Sequence, residues 1–399
     1  MTAAGGPPDE PMRVVEVAEF YSPTGGGVRS YVDRKFAAAA MAGHELFVIA
    51  PGPRDAFEPR EAGGVVWLKS PRLPFDANYC MFWDAAPVHA RLDELKPDLV
   101  EASSPWRGAW IVADWPTPTP RAMFVHAEPV AVYPQRWLAG LASRDRIDRL
   151  FGGYWSYLRR LARRFETVAA GAWLGARLRG QGVEPVAEVD LGVDRTAFSP
   201  ALRDEALRAR LLAACGLPRE GRLLLGVGRF HAQKRWPMVI EAVAAARRDL
   251  PLGLVIVGDG MDRVRVGRAA AGKPFVHLHG AIRERAPLAA LMASGDALVH
   301  GCESETFGLV TGEALASGLP LVAPDWGGSA AQADPAVSEV YRAADASAMA
   351  AAIRRLFARD PAVLRAASLR IAGEVRTDSQ HYDGLFAHYA QVAAKGRAR

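Results

Sequence analysis

Two glutamates with a fixed spacing stand where a loop runs into an apolar stretch. Glu305 and Glu313 have seven residues between them in ESETFGLVTGEALASG, residues 303–318. The first backbone N–H groups of a helix that starts in this stretch would form an anion site. Glu305 would compete with a phosphate for those amides unless it faces neutral hydroxyls, as on a sugar. Glu313, further into the helix, can accept both hydroxyls of a ribose. The alternative is that Glu305 only complements the dipole at the helix N-terminus and that Glu313 is an ordinary surface residue.

Two cations lie in a second segment that can bind an anion. Arg229 and Lys234 follow the apolar run in GRLLLGVGRF, residues 221–230. An arginine fork and a lysine ammonium can together hold a diphosphate. The segment contains no G-x-x-x-x-G-K-[ST], so it is not a P-loop. The alternative is that both charges are solvated on a loop.

A glycine-rich loop near the start of the chain can approach a ligand with its backbone. It is TGGGV, residues 24–28, which includes Gly26 and Gly27. Glycines before a helix allow such an approach at the helix N-terminus. As a dinucleotide fingerprint the loop fails, because Ser30 stands at the third glycine position and no ribose-binding acid ends the next strand. We therefore do not expect NAD binding.

The order of the predicted elements places these segments at the ends of strands. The pattern β-loop-α-β opens the chain, and a second series of strands and helices begins near residue 221, which predicts two doubly wound α/β halves. The predicted hinge between them is 195–200, and 379–396 reads as a final amphipathic helix. Ligands of such sheets bind beyond the carboxyl ends of the strands. Function is therefore expected in the loops that follow the strands.

Bulk properties limit the classes of protein that fit. The chain has 399 residues, a net charge of +5 and three cysteines without paired spacing. This length suits two domains, the mild basic balance suits phosphate-bearing ligands or an anionic membrane surface, and nothing suggests nucleic acid. The cysteines favour neither a disulfide framework nor a zinc site. The sequence shows no signal peptide and no apolar run long enough to span a membrane.

The motifs together resemble the family 4 retaining glycosyltransferases. The resemblance rests on the two glutamates with Phe-Gly-Leu, the GRF…K segment, LGVDRTAFSP and TGGGV, and it extends from about residue 13 to 390. It implies an α/β fold of the GT-B type, with two Rossmann-like doubly wound domains facing across a cleft and a C-terminal helix returning to the N-domain. The expected divisions are a disordered tail at 1–12, an acceptor-side domain at 13–195, a nucleotide-sugar domain at 196–375 and the returning helix at 376–399.

The resemblance also implies roles for individual residues. Arg229 and Lys234 would hold the donor diphosphate, Glu305 the sugar hydroxyls and Glu313 the ribose. The backbone amides near sugar and phosphate would be those of Phe307, Gly308 and Leu309. His126, in FVHAE, matches the histidine at the reacting sugar, although a buried structural histidine is the alternative. The sequence departs from the family at WGGSAAQAD, where Gln332 stands near an expected acidic residue.

The implied activity is retaining transfer of a hexosyl or hexuronosyl unit from a UDP or GDP sugar. The acceptor would be a hydroxyl of a membrane lipid or cell-envelope glycan, and no metal would be required. Closure about 195–200 would bring His126 to the sugar and exclude water. The enzyme would be cytoplasmic, with peripheral contact to an anionic membrane as one interpretation of the basic, aromatic segment 144–166; a helix packed on the sheet is the other. The apolar, irregular segment 71–84 would line an acceptor site or pack as a loop.

Other functions remain open from the sequence. A GT-B epimerase or phosphorylase shares the fold, and a phosphorylase would need a pyridoxal lysine. A non-catalytic nucleotide-sugar-binding partner of another transferase would tolerate the loss of Glu305 or Lys234. Both residues are present here, which favours the transferase.

Overall fold

The computed structural model describes residues 11–22, 27–73 and 76–397. Internal contacts divide these residues into two units. The first unit holds the described residues of Met1–Val130, Trp137–Asp190 and Ser379–Arg399, and the second holds Ala131–Arg136 and Leu191–Asp378. Most of the predicted tail (residues 1–10) and Gly26 lie outside the described residues.

The first unit is built on an eight-stranded sheet and a separate two-stranded hairpin. Its strands are β1 (Arg13–Ala18), β2 (Glu45–Gly52), β3 (Ala56–Arg60), β4 (Gly63–Lys69), β5 (Arg72–Leu73), β6 (Asp76–Cys80), β7 (Leu99–Ser103), β8 (Arg121–Phe124), β9 (Thr167–Ala170) and β10 (Val186–Glu188). The order of the eight-stranded sheet is β10-β9-β8-β7-β1-β2-β4-β3, and within this sheet the edge strand β3 runs antiparallel to β4. The segment 71–84, predicted to be irregular, contains the antiparallel pair β5–β6.

Helices cover the sheet of the first unit and close its core. The helices that precede β10 are α1 (Gly27–Met41), α2 (Ala86–Leu95), α3 (Arg107–Asp114), α4 (Pro129–Val132), α5 (Pro134–Trp137), α6 (Arg144–Leu150), α7 (Gly152–Ala162) and α8 (Ala172–Gly180). Of these, α4 and α5 overlap the residues Ala131–Arg136, which belong to the second unit. Trp155, Leu158 and Leu161 of α7 are buried in the hydrophobic core. The apolar side of α7 therefore packs inward, as the packed-helix interpretation of 144–166 predicts.

The second unit is built on a six-stranded parallel sheet. Its strands are β11 (Arg222–Val227), β12 (Leu252–Val257), β13 (Val276–Gly280), β14 (Ala297–Val299), β15 (Leu321–Pro324) and β16 (Ser338–Tyr341). The order β13-β12-β11-β14-β15-β16 is that of a doubly wound sheet, and it makes β11 and β14 neighbours. All residues of β12 are buried, because helices cover both faces. The loops after β11 and β14 consequently start side by side.

Helices connect the strands of the second unit, and three of these helices have an aspartate as N-cap. The helices that follow β10 in this unit are α9 (Glu205–Ala214), α10 (Trp236–Ala246), α11 (Arg263–Ala270), α12 (Arg285–Ser294), α13 (Leu309–Ala316), α14 (Gly328–Ala331), α15 (Ala346–Phe357) and α16 (Pro361–Glu374). In α15, Asp345 caps the N-terminus by accepting from Ala348 N at 2.9 Å, and Met349, Ile353 and Leu356 are buried on one face. Short 3₁₀ turns occupy Pro200–Leu202 and Ala232–Lys234.

The last helix, α17 (Asp378–Arg397), packs into the first unit from Ser379 onward. The Tyr382 hydroxyl donates to the Tyr31 carbonyl at 2.7 Å, and the Tyr389 hydroxyl donates to Glu101 Oε2 at 2.7 Å. The same Glu101 oxygen binds the fully buried ammonium of Lys35, which also contacts Glu16 at 2.9 Å. The last helix thus donates a hydrogen bond to the buried cluster of Lys35, Glu16 and Glu101, which joins α1 to the sheet.

Among the described residues, no helix combines the length and the apolar character needed to cross a membrane.

Candidate active site

The loop after β11 carries the two predicted cations at the carboxyl edge of the second sheet. Gly228 follows β11 with φ of +151°, and a Cβ there would come within 3.0 Å of Lys234 Cε. Glycine therefore allows the Lys234 side chain to lie against the backbone. The His231 ring caps the 3₁₀ turn that ends at Lys234, accepting from Gln233 N at 3.4 Å. Arg229 is exposed, and its guanidinium makes no hydrogen bond or ion pair with the described residues.

Glu305 is held between two basic groups in the loop after β14. The Lys234 ammonium forms an ion pair with Glu305 Oε1. Nε2 of His300, which directly follows β14 and is buried, lies 3.3 Å from Glu305 Oε2. The side chains of Lys234 and Glu305 are both mostly buried, so water screens this group only weakly.

The mutual attraction of these three groups fixes their protonation. Burial pulls the pKa of Lys234 down, but the Glu305 carboxylate outweighs it and leaves the pKa above that of an ordinary lysine. Burial alone would raise the pKa of Glu305, yet the Lys234 and His300 charges hold it well below its ordinary value. Burial lowers the pKa of His300 and Glu305 raises it, with a net rise. Glu305 is thus a carboxylate, and Lys234 carries its charge, throughout the neutral range.

A second ion pair ties the same two loops together. Arg235 Nε lies 2.9 Å from Glu303 Oε2, and an Arg235 Nη2–Glu303 contact completes a two-pronged interaction. Arg235 adopts a left-handed backbone with φ of +50°, which the following helix α10 accommodates at its N-cap. The pair connects the loop after β11 to the loop after β14, next to the Lys234–Glu305 ion pair.

The turn Phe307–Leu309 leads into α13 beside Glu305. Gly308 is the N-cap of this helix with φ of +85°. A Cβ at Gly308 would meet Ser329 Oγ at 2.8 Å and Glu305 Oε2 at 3.2 Å. The buried Ser329 hydroxyl has no hydrogen-bond partner among the described residues. A glycine is therefore needed here, and a polar cluster surrounds it.

Gln332 holds the backbone of this turn. Its amide nitrogen donates to the Phe307 carbonyl and, at 3.1 Å, to the Gly308 carbonyl. The residue that departs from the family pattern is thus engaged with the turn itself. Glu313 lies in the second turn of α13 and is half-buried.

His126 belongs to the first unit, where it follows β8. The Ser103 hydroxyl lies 2.9 Å from His126 Nε2, and the rings of Phe124 and Tyr31 pack against the imidazole at 4.6 and 5.1 Å between centroids. Burial lowers the pKa of His126 to about 4. The imidazole is therefore neutral near pH 7. Gly27 is the first residue of α1.

Similarity to known proteins identifies the family of this chain. A family model described as Glycosyltransferase Family 4 matches residues 25–197, and one described as Glycosyl transferases group 1 matches residues 221–359. The GDP-mannose-dependent alpha-(1-6)-phosphatidylinositol dimannoside mannosyltransferase of Mycobacterium tuberculosis is 30% identical over 326 residues, 78% of this chain and 79% of that protein. The GDP-mannose-dependent alpha-mannosyltransferase of Mycolicibacterium smegmatis is 33% identical over 327 residues, 79% and 80% of the two chains. The chain belongs to the family 4 glycosyltransferases.

Solved structures show the same fold for this transferase. Sucrose-phosphate synthase from Thermosynechococcus elongatus superposes with a TM-score of 0.77 at 19% identity, over 96% of this chain and all of that one. Anabaena HepE in complex with UDP superposes with a TM-score of 0.71 at 15% identity, over 95% and 100% of the chains. These structures confirm the predicted GT-B fold. The matching family models and the mannosyltransferase relatives confirm the assignment as a hexosyltransferase.

The structure brings together part of the predicted set. Lys234, Glu305 and the turn Phe307–Leu309 meet at the carboxyl edge of the second sheet of the transferase. His126 and Gly27 belong to the first unit, and the Arg229 side chain extends into solvent. Their predicted roles stay predictions.

Two residues of the cluster were not anticipated from the sequence. His300 directly follows β14 in ALVHGCESE, five residues before Glu305, and this strand-end position is the signal that could have identified it. Ser329 offers no comparable signal, because a serine in WGGSAAQ is compatible with any loop.

The same cluster contains groups that can bind a metal ion. One ligand atom each from His300, Cys302 and Glu305 lies within 4.8 Å of the others. The Lys234 ammonium already pairs with Oε1 of the same Glu305 carboxylate. The expectation that no metal ion is required stays a prediction.

Proposed function

We propose that the transferase moves a mannosyl unit from GDP-mannose to a hydroxyl of a glycolipid acceptor, with retention at the anomeric carbon. The observation that carries the proposal is the Lys234–Glu305–His300 cluster at the carboxyl edge of the second sheet. Relatives named for GDP-mannose that align with about four-fifths of this chain support the donor, and the phosphatidylinositol dimannoside in one relative's name supports the acceptor class.

The donor's phosphates would bind to the cations of the second unit. Lys234 supplies an ammonium that the neighbouring Glu305 keeps protonated, and Arg229 supplies a guanidinium that is exposed to solvent. The Phe307–Leu309 turn offers backbone amides at the start of α13. Glu305 would accept from the sugar hydroxyls and Glu313 from the ribose, and the approach of the Gly26–Gly27 backbone to the donor stays a prediction from the sequence.

The chemistry would follow same-face substitution. The bond from the anomeric carbon to the β-phosphate oxygen breaks, and the acceptor oxygen bonds to that carbon from the side the phosphate leaves. The acceptor proton passes to the departing phosphate. Glu305 is occupied by Lys234 and His300, which disfavours it as a covalent nucleophile and suits it to stabilising positive charge at the sugar.

No divalent ion is needed in this scheme, because Lys234 and Arg229 neutralise the leaving diphosphate. Transfer is therefore expected to persist in EDTA. Loss of activity in EDTA, restored by one divalent ion, would instead indicate that His300, Cys302 and Glu305 bind a metal ion during turnover.

A lipid acceptor implies that the transferase works at a bilayer surface. In the first unit, Trp137, Leu141 and Leu150 are 64%, 79% and 73% exposed, next to a groove of about 410 Å³ lined partly by Arg146 and Arg149. Exposed apolar side chains with arginines suit an interface with anionic headgroups. We place the peripheral contact on this surface rather than on α7, whose apolar residues are buried.

Nucleotide binding tests the donor site. Saturation at about 100 times Kd should stabilise the protein by about 2.7 kcal/mol, so thermal denaturation with GDP, UDP and ADP identifies the base. We expect a shift with GDP that Lys234→Ala abolishes and that Lys273→Ala, a lysine on a different loop, retains. A shift with UDP alone would reject GDP-mannose as the donor.

Transfer itself is measured with radiolabelled GDP-mannose and a lipid extract containing phosphatidylinositol mannosides. Label in the lipid phase, with the anomeric configuration of the donor, is the expected result. GDP binding without transfer to any lipid, and with a Glu305→Ala variant that functions as well as wild type in cells, would favour a non-catalytic nucleotide-sugar-binding role.

A further inference from the structure

A second cavity of the transferase lies at the opposite edge of the second sheet. Its volume is about 290 Å³, and its lining includes Arg222, which begins β11, Asp296, which precedes β14, and Pro320, which precedes β15. These strands are parallel, so their starts form the edge away from Lys234 and Glu305. At roughly 3.3 Å per residue, β11 separates the two edges by about 20 Å. The cavity is therefore not part of the donor site.

Arginines dominate the charge around this cavity. Arg203, Arg222, Arg359 and Arg365 line it, and Asp296 is the acidic residue of its lining. Asp296 is already bound by Arg208 at 2.7 Å. The remaining carboxylates nearby are engaged as well: Glu205 binds Arg203 at 2.6 Å, and Glu339 is shared between Arg359 and Arg355. The ion pairs leave an excess of positive charge at the cavity.

Arg222 and Arg365 carry that excess. Neither guanidinium has a carboxylate partner within 4 Å in the described part of the chain, although both side chains are half-buried. Arg222 is held over the Phe357 ring at 5.8 Å, and Arg365 Nη1 donates weakly to the Gly318 carbonyl at 3.4 Å. Burial and the nearby Arg203 charge lower the pKa of Arg365. An anion between these groups would relieve an unfavourable concentration of like charge.

The size of the cavity and its hydrogen-bond donors indicate which kind of anion it can bind. Arg222 and Arg365 both line this one small space, and two guanidinium forks suit a tetrahedral dianion better than a single carboxylate, since each fork can bind two oxygens. Phe357 and Leu364 provide an apolar wall beside the arginines. We propose that this cavity binds a phosphate dianion, carried either by free phosphate or by a small phosphorylated metabolite. The proposal stands whether or not the donor is GDP-mannose.

Calorimetric titration of the full-length protein tests the site. Inorganic phosphate and glucose 6-phosphate are titrated while the nucleotide selected by thermal denaturation saturates the donor site. We expect binding that Arg222→Gln with Arg365→Gln weakens by about tenfold or more, the effect of removing charge-assisted hydrogen bonds. Arg263→Gln, an exposed arginine elsewhere in the second unit, should bind as wild type does. Equal affinity for both ligands identifies the free anion, and tighter binding of the sugar phosphate identifies a metabolite.

Two results would overturn the proposal. One is no binding of either ligand at millimolar concentrations. The other is binding that Lys234→Ala removes and the double arginine variant keeps, which would assign the phosphate to the donor site. Nucleotide binding by the double variant verifies that it is folded, and Arg365→Lys, which keeps the charge and removes the fork, should weaken phosphate binding without unfolding the protein.

Discussion

At the scale of single residues, the Glu305 carboxylate meets two requirements that are difficult to satisfy together. It must stay ionised while mostly buried, and in the proposed mechanism it must also leave an oxygen able to accept from the sugar. Lys234 satisfies the first requirement through Oε1, while Oε2 faces His300 at 3.3 Å and Gly308, where any larger residue would intrude. Donor binding would bring phosphate to the same ammonium, so Lys234 would be shared between protein and ligand.

Glu305→Gln separates the stabilising role of this carboxylate from its role in transfer. The variant leaves the buried Lys234 charge facing an amide, and we expect unfolding free energy to fall by about 2 kcal/mol and kcat/KM to fall on the order of 10²-fold or more. Urea denaturation and a transfer assay measure the two effects.

A double variant completes that test. Lys234→Met with Glu305→Gln should recover part of the stability but none of the activity, because the uncompensated charge is removed while the ligand contacts stay lost. Glu374→Gln, in an exposed pair with Arg370, should change stability by less than about 1 kcal/mol. Near-normal transfer by Glu305→Gln would contradict its role at the sugar.

The buried imidazole of His126 predicts a pH dependence of stability. Its pKa is about 4 in the folded chain and about 6.5 when unfolded, so the unfolded chain binds more protons between these values. The contribution of His126 is complete above about pH 6.5 and is lost as pH falls towards 4, at no more than about 1.4 kcal/mol per pH unit. Unfolding free energies of wild type and His126→Gln, compared from pH 4 to 7, should diverge by this slope; parallel curves would show that His126 titrates normally.

At the scale of elements, α17 completes the core of the first unit. Tyr389 and Lys35 converge on Glu101 in a space without water contact, and this group joins α17 to β7 and α1. Removing one partner of such a buried carboxylate should lower the free energy of unfolding, because part of its charge is then left without compensation.

Substitutions at these partners should rank accordingly. Tyr389→Phe removes one hydrogen bond and should cost about 1–2 kcal/mol, whereas Lys35→Met leaves two buried carboxylates facing each other and should cost about 3–5 kcal/mol. Tyr79→Phe, whose hydroxyl makes no hydrogen bond within the described ranges, is the matched control. Urea denaturation gives all three values, and a Tyr389→Phe variant as stable as the control would contradict this account of α17.

The elements themselves were largely predictable. Strands such as β11 and β12 are continuous apolar runs bounded by glycine, so their presence and order follow from the sequence. Strands β3 and β16 were not predicted from the sequence. Of their residues, Glu58 binds Trp67 at 3.1 Å and Glu339 binds Arg355 and Arg359, contacts that exist only once the neighbouring elements have formed.

At the scale of the whole molecule, the two units predict a local response to nucleotide. GDP without a sugar contacts only the proposed phosphate and ribose groups of the second unit. Hydrogen exchange should therefore slow in residues 228–236 and 300–313, while amides within β11 and those of residues 99–126 exchange unchanged. Protection that centres on residues 99–126 would assign the nucleotide to the first unit.

The sequence by itself determined the family, the alternation of strands and helices, and the position of Lys234 and Glu305 just past strand ends, because local periodicity and motif spacing carry that information. The tertiary structure decided their partners. The adjacency of β11 and β14 pairs Lys234 with a glutamate 71 residues away, sets His300 against it, and turns Gln332 onto the Phe307–Leu309 turn. It also gathers Arg222 and Arg365 at the opposite edge. Such contacts depend on which strands are neighbours, and strand order is a property of the folded sheet rather than of any segment.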